Sequence, residues 1–269
     1  MAEAAIASRL RHPNAVAVLE TEELADEVLL VMDYVEGASL AELLRCWPLL
    51  PVSVALRIAL DAAAGLAELH ALCDERGRPL GAVHHDVTPD NLLVGLDGRT
   101  RLTDFGSATW SVTGPCQASL STSGRARAFT APECLDGYGC DARADVFSLG
   151  VLTWELLAAR PLFDAAVDGL GVHRPGGLAA PALSSAVPEL GDAFDAVLRK
   201  ALARDPVDRF ATVTELADEL WAAAAWNGGV AAPYDVGTMV DERVGDALAC
   251  RRSDLEDQVA RTSGVYACA

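Results

Sequence analysis

Three short polar segments constrain this chain more than anything else in it. They are His84-His85-Asp86-Val87-Thr88-Pro89-Asp90-Asn91, Asp104-Phe105-Gly106 and Ala131-Pro132-Glu133, in that order. Asp86 and Asn91 stand five positions apart. Taken singly, each segment is an ordinary turn that carries a carboxylate or an amide. Taken together and in this order, they make a much stronger signal than any one of them alone. That ordered spacing argues for a single site rather than three unrelated turns.

The flanking pattern is mixed helix and strand. Residues 2–11 read as a helix that His12-Pro13-Asn14 stops, because the residue before a proline is pushed out of the α region. Ala15–Leu19 and Val28–Met32 read as strands around the acidic connector Glu20–Glu27. Val54, Ile58, Ala62, Leu66 and Leu69 recur at three- and four-residue spacing, which gives a helix one apolar face. Val83, Asn91–Val94 and Arg101–Thr103 read as short strands, with Asp97-Gly98 turning between the last two. Residues 107–128, rich in Ser, Thr and Gly, read as a long mobile loop. Helices are expected at 145–158, 190–204 and 212–226, the last opened by a capping box of Thr212 and Glu215. The Gly/Pro/Ala-rich stretch 165–188 reads as an irregular connection, and one more helix is expected at about 235–261.

Composition narrows the function. A hydrophobic fraction of 51% in 269 residues is enough for a sizeable core. A net charge of −18 argues against nucleic acid as a partner, since that needs basic residues gathered on one face. No apolar run is long enough to span a bilayer, and the start lacks the basic-then-apolar order of a signal peptide. A cytoplasmic protein without a membrane segment is the expectation. The seven cysteines form no C-x-x-C pair and read as reduced, structurally incidental thiols. His84 and His85 do not read as metal ligands, because adjacent side chains on a short loop diverge and no thiolate is expected nearby.

The three segments resemble the catalytic loop, the magnesium motif and the end of the activation segment of the protein kinase family. The resemblance covers roughly residues 3–225 and has the style of bacterial, especially myxobacterial, serine/threonine kinases. It implies an α+β, protein-kinase-like fold, mainly the helical C-lobe. Residues 1–35 would be a remnant N-lobe and hinge (one helix and two strands), 36–226 the C-lobe and 227–269 a helical extension.

It also implies roles. Asp86 would orient a substrate hydroxyl and accept its proton, while Asn91 and Asp104 would hold Mg2+ against the phosphates of ATP. Val31-Met32-Asp33-Tyr34-Val35-Glu36-Gly37 resembles the adenine-contacting hinge, with Met32, Asp33, Val35 and Leu93 as nucleotide contacts and Met32 as gatekeeper. His84 would pack beneath Phe105, next to Gly106. Asp145 would steady the catalytic loop, and Arg209 would pair with Glu133. The partner implied is a protein, as substrate or as binding partner.

The pattern also breaks. The family carries a glycine-rich loop and a strand lysine ahead of its first helix, and this sequence begins inside that helix, with Glu3 where the lysine's partner would be. No G-x-G-x-x-G occurs, and the single lysine is Lys200. His85 stands where the family has an arginine. Both lysine and glutamate are needed for kinase activity, and loss of one preorganised contact to a developing anion costs roughly 100- to 1,000-fold. Two functions follow. One is a serine/threonine kinase, active if a nucleotide-clamping lobe lies upstream of Met1. The other is a pseudokinase that binds or scaffolds proteins.

Overall fold

A computed structural model describes residues 9–23, 28–105, 108–110, 127–163 and 180–266. Residues 9–12 are not helical, and the rest of the helix expected at 2–11, Glu3 included, lies outside the described residues. The turn at Asn14 is fastened on both sides. Leu102 N–H donates to the Asn14 carbonyl at 2.9 Å, and the Asn14 side-chain amide donates to the Thr100 carbonyl at 2.9 Å.

Among the described residues, three small antiparallel sheets follow. Strands β1 (Val18–Glu23) and β2 (Val28–Met32) form a hairpin. β1 thus runs into the stretch expected as an acidic connector, because Glu20, Thr21 and Glu22 pair with Val31, Leu30 and Leu29. Ala15 contributes only an isolated bridge to Leu102. β3 (Gly37–Ser39), β5 (Leu92–Gly95) and β6 (Thr100–Leu102) make the second sheet, in the order β3-β5-β6. β4 (Ala82–Val83) pairs with β7 (Thr109–Trp110), a short strand inside the stretch expected as a loop. Most of that stretch, 111–126, lies outside the described residues.

The helices form the bulk. Helix α1 (Leu40–Cys46) opens with a capping box, Ser39 accepting from Glu42 N–H while the Glu42 carboxylate takes the Ser39 N–H. Helix α2 (Val52–His70) buries Val54, Ile58, Ala62, Leu66 and Leu69, the apolar face read from the sequence. Gly65 lies where α2 meets the entering chain; a Cβ there would sit 2.4 Å from the Asn14 carbonyl oxygen. Asp61, buried on the same helix, accepts from the Thr100 N–H at 2.9 Å and so fixes β6 to α2. Burial raises its carboxyl above the usual range.

After α3 (Pro132–Leu135), helix α4 (Ala142–Ala158) is buried on nearly all sides, which is why its apolar residues show no stripe. The connection expected to be irregular holds a turn of helix, α5 (Leu183–Ala186), just before the 3₁₀ turn Pro188–Leu190. Helices α6 (Asp195–Ala201) and α7 (Val213–Ala224) complete the lobe. Thr212 caps α7 through Glu215 N–H, but the Glu215 carboxylate reaches Ala211 N–H instead of closing a capping box.

Helix α8 (Pro233–Tyr266) folds back over the β3-β5 edge. Its Val236, Met239 and Val240 join the same core as α2 and α4. The approach depends on two glycines. Gly98, at φ 72°, leaves no room for a Cβ beside Pro233, and a Cβ on Gly237 would stand 2.2 Å from the Leu96 carbonyl oxygen. Farther along, Arg252 pairs with Glu36 and Arg251 with Glu42. Among the described residues no helix is long and apolar enough to cross a membrane.

Candidate active site

The segment 84–91 follows β4 and is held by Asp145. Asp145, in the first turn of α4 and fully buried, accepts from the backbone N–H groups of His84 at 2.8 Å and His85 at 2.9 Å. The ring of His70, at the end of α2, meets the same carboxylate at 2.7 Å. Burial alone would raise the Asp145 carboxyl, but the His70 contact and the neighbouring histidines hold it down to about 2. His70 was missed by sequence reasoning; a lone histidine in a last helical turn carries no motif.

Asp86 and Asn91 are brought together. The Asn91 amide nitrogen donates to the Asp86 carbonyl and to one Asp86 carboxylate oxygen, both at 2.9 Å. With that nitrogen committed, the amide oxygen is the atom left to face a cation. Burial raises the Asp86 carboxyl, and the Asn91 contact partly offsets it. Thr103 N–H donates to the Asn91 carbonyl at 3.0 Å, which fixes the loop carrying Asp104 alongside. Asp104 is exposed and takes the left-handed conformation, φ 57°. A non-glycine residue there costs roughly 1–3 kcal/mol and persists only where its surroundings impose it. His85 shares that conformation at φ 68°.

The rings of His84 and Phe105 lie 5.4 Å apart between centroids, tilted by 60°. Burial lowers the His84 ring's proton affinity, which keeps it neutral. Gly106 lies outside the described residues.

Arg209 is enclosed completely, its side chain 0% exposed. It forks onto both Glu133 carboxylate oxygens at 2.7 Å and donates to the carbonyls of Ala203, Arg143 and Arg204. Its guanidinium also stacks 4.9 Å from the Phe147 ring centre. This ties the segment ending in Glu133 to α4 and to the turn before α7.

The residues expected to form a hinge are arranged more openly. Met32 ends β2 and is 40% exposed, so the described residues build no wall over it. Asp33 N–H donates to the Ala17 carbonyl at 2.9 Å. Val35 sits against Gly95, and half-buried Leu93 lies on β5 opposite Ser39. A groove of about 340 Å³ runs between α1 and the loop, lined by Ala41, Leu44, Arg45, Thr88, Asp90 and Phe129 among others.

Two expectations need correction. Cys134 and Cys140 are joined in a disulfide rather than standing as incidental thiols. The exposed turn through Gly137, at φ 77°, brings their Cα atoms to 5.6 Å, which a C-x₅-C spacing does not announce. His85 also has sulfur close by, since a ring nitrogen and both sulfurs lie within 4.8 Å of one another. The contact crosses from the catalytic loop to α3 and is invisible along the sequence.

The protein kinase domain profile matches residues 1–222. The tyrosine-protein kinase MasK of Myxococcus xanthus is 34% identical over 226 residues, which cover 81% of this chain and 34% of that protein. The serine/threonine-protein kinase PknJ of Mycobacterium tuberculosis is 34% identical over 243 residues, covering 84% of this chain and 38% of that protein. The chain therefore spans little more than a third of the length of these relatives. The crystal structure of the Mycobacterium tuberculosis PknI kinase domain superposes with a TM-score of 0.60 at 30% identity, covering 82% of this chain and 76% of that one.

Proposed function

Because the chain belongs to the protein kinase family, we propose that Asp86, Asn91 and Asp104 transfer the γ-phosphate of Mg·ATP to serine or threonine hydroxyls of a protein substrate. The observation that carries this reading is the Asp86–Asn91 pair, two hydrogen bonds at 2.9 Å that commit the Asn91 amide nitrogen to Asp86 and leave its oxygen for a cation. Asp86 receives the hydroxyl proton as the oxygen attacks. Asn91 and exposed Asp104 fit a hard cation, both offering oxygen. Bound there, Mg2+ would neutralise charge on the phosphates. The acceptor segment would lie in the groove beside Thr88 and Asp90.

Transfer at full rate needs a phosphate clamp, which this reading assigns to a lobe ahead of residue 1. A second reading, a pseudokinase that binds a protein partner, draws on Lys200. The sole lysine of these 269 residues sits over the Phe210 ring at 4.2 Å, engaged in the helical lobe.

The test is transfer of labelled γ-phosphate from ATP to a protein acceptor by the protein isolated from its own cells, followed by phosphoamino-acid analysis. Phosphoserine or phosphothreonine supports the reading. Phosphotyrosine alone would reassign the acceptor, and no transfer would favour the pseudokinase.

A further inference from the structure

We propose that Cys134, Cys140 and His85 form a binding site for a thiolate-preferring divalent ion, zinc being the natural occupant, when the Cys134–Cys140 disulfide is reduced. One ring nitrogen and two sulfurs lie within 4.8 Å of one another. Around a tetrahedral zinc ion with Zn–S near 2.3 Å, sulfur atoms stand roughly 3.8 Å apart. Opening the S–S bond frees the two sulfurs to take up that spacing around an ion beside the His85 ring. Two cysteines and one histidine with a fourth position open to water is an established ligand set for zinc.

Burial suits this. His85 and Cys134 are buried, whereas Cys140 is half-buried beside the exposed turn 136–139, which gives the ion an entrance. Desolvation keeps the His85 ring neutral, the form that ligates. His85 also stands at the position where the resemblance expects an arginine, so this loop lacks the cation that position would supply.

The chemistry balances. A dithiol reductant supplies two electrons and two protons, leaves as its own disulfide, and converts the bridge to two thiols. Those thiols release both protons as the ion binds. The bound ion would clamp α3, and with it Glu133, to the loop residue next to Asp86. Oxidation would exchange that clamp for a bond confined to residues 134–140.

The experiment uses the full chain with Cys46, Cys73, Cys116, Cys250 and Cys268 changed to serine, reduced with a dithiol, desalted without oxygen and titrated with Co2+. One equivalent should give a thiolate-to-cobalt charge-transfer band with tetrahedral ligand-field bands, and Zn2+ should displace it. C134S or C140S should weaken binding at least about 100-fold and remove the charge-transfer intensity in proportion. H85N should weaken it at least about tenfold and shift the ligand-field bands. A spectrum unchanged in C140S or H85N overturns the proposal, as does a reduced protein that takes up no cobalt. X-ray absorption on the zinc form of the parent guards against a variant that misfolds. Two sulfur and one nitrogen neighbours support the site, and an all-oxygen shell overturns it.

Discussion

Replacing Arg209 with methionine should be among the most damaging single changes in the lobe. The guanidinium makes five hydrogen bonds, two to Glu133 and three to backbone carbonyls, with its side chain fully enclosed. Methionine keeps much of the volume but leaves the Glu133 charge without its partner at 11% exposure. Removing one member of a buried pair costs about 3–5 kcal/mol. For a domain of this size that is a fall in Tm of about 6–20 °C. Arg209→Lys should recover part of the loss, since it restores charge but not the fork. Converting both partners, R209M with E133L, should be less harmful than R209M alone, because no charge is left buried. Urea or thermal unfolding of the four proteins measures this. A loss under about 1 kcal/mol for R209M, or a double variant worse than the sum of its parts, would refute the argument that the pair acts as a unit.

Asp145 should make stability depend on acid. Its carboxyl is held near 2 against an ordinary 3.8, so its contribution of roughly 2 kcal/mol is complete above about pH 4 and disappears as pH falls towards 2. The stability gap between the parent and D145N should narrow over that window, and a constant gap in pH-dependent unfolding would contradict it. Asp86 is raised by burial, so its charge costs stability at neutral pH. D86N should therefore fold at least as stably as the parent, and a lower unfolding midpoint would count against that sign. Gly237→Ala drives a Cβ against the Leu96 carbonyl and should loosen α8 by about 1–3 kcal/mol. Limited proteolysis should then cut earlier near residues 225–233, and unchanged cleavage would show that α8 docks by other means.

The sequence made some of this legible and hid the rest for physical reasons. The face of α2 was readable because five apolar residues at helical spacing all turn one way. α4 was not amphipathic, so only its starting motif betrayed it. Asp86 and Asn91, which the structure brings into contact, stood out because their segment matches a family motif at the same spacing of five positions. Cys134 and Cys140 escaped because a six-residue separation announces no bridge, and His70 and Asp61 because their partners lie on other elements, 75 residues away for His70–Asp145. The docking of α8 through Gly98 and Gly237 escaped for the same reason, since an open backbone position shows only when a neighbour fills it.

The central claim is that the Asp86, Asn91 and Asp104 constellation performs phosphoryl transfer, and a comparison of D86N and D104N with the parent in steady-state transfer from ATP to a protein acceptor tests it most directly. The account predicts that D86N lowers kcat about 100- to 10,000-fold while ATP binding is retained, and that D104N weakens Mg·ATP binding as well. Transfer at the parent rate by D86N would contradict it.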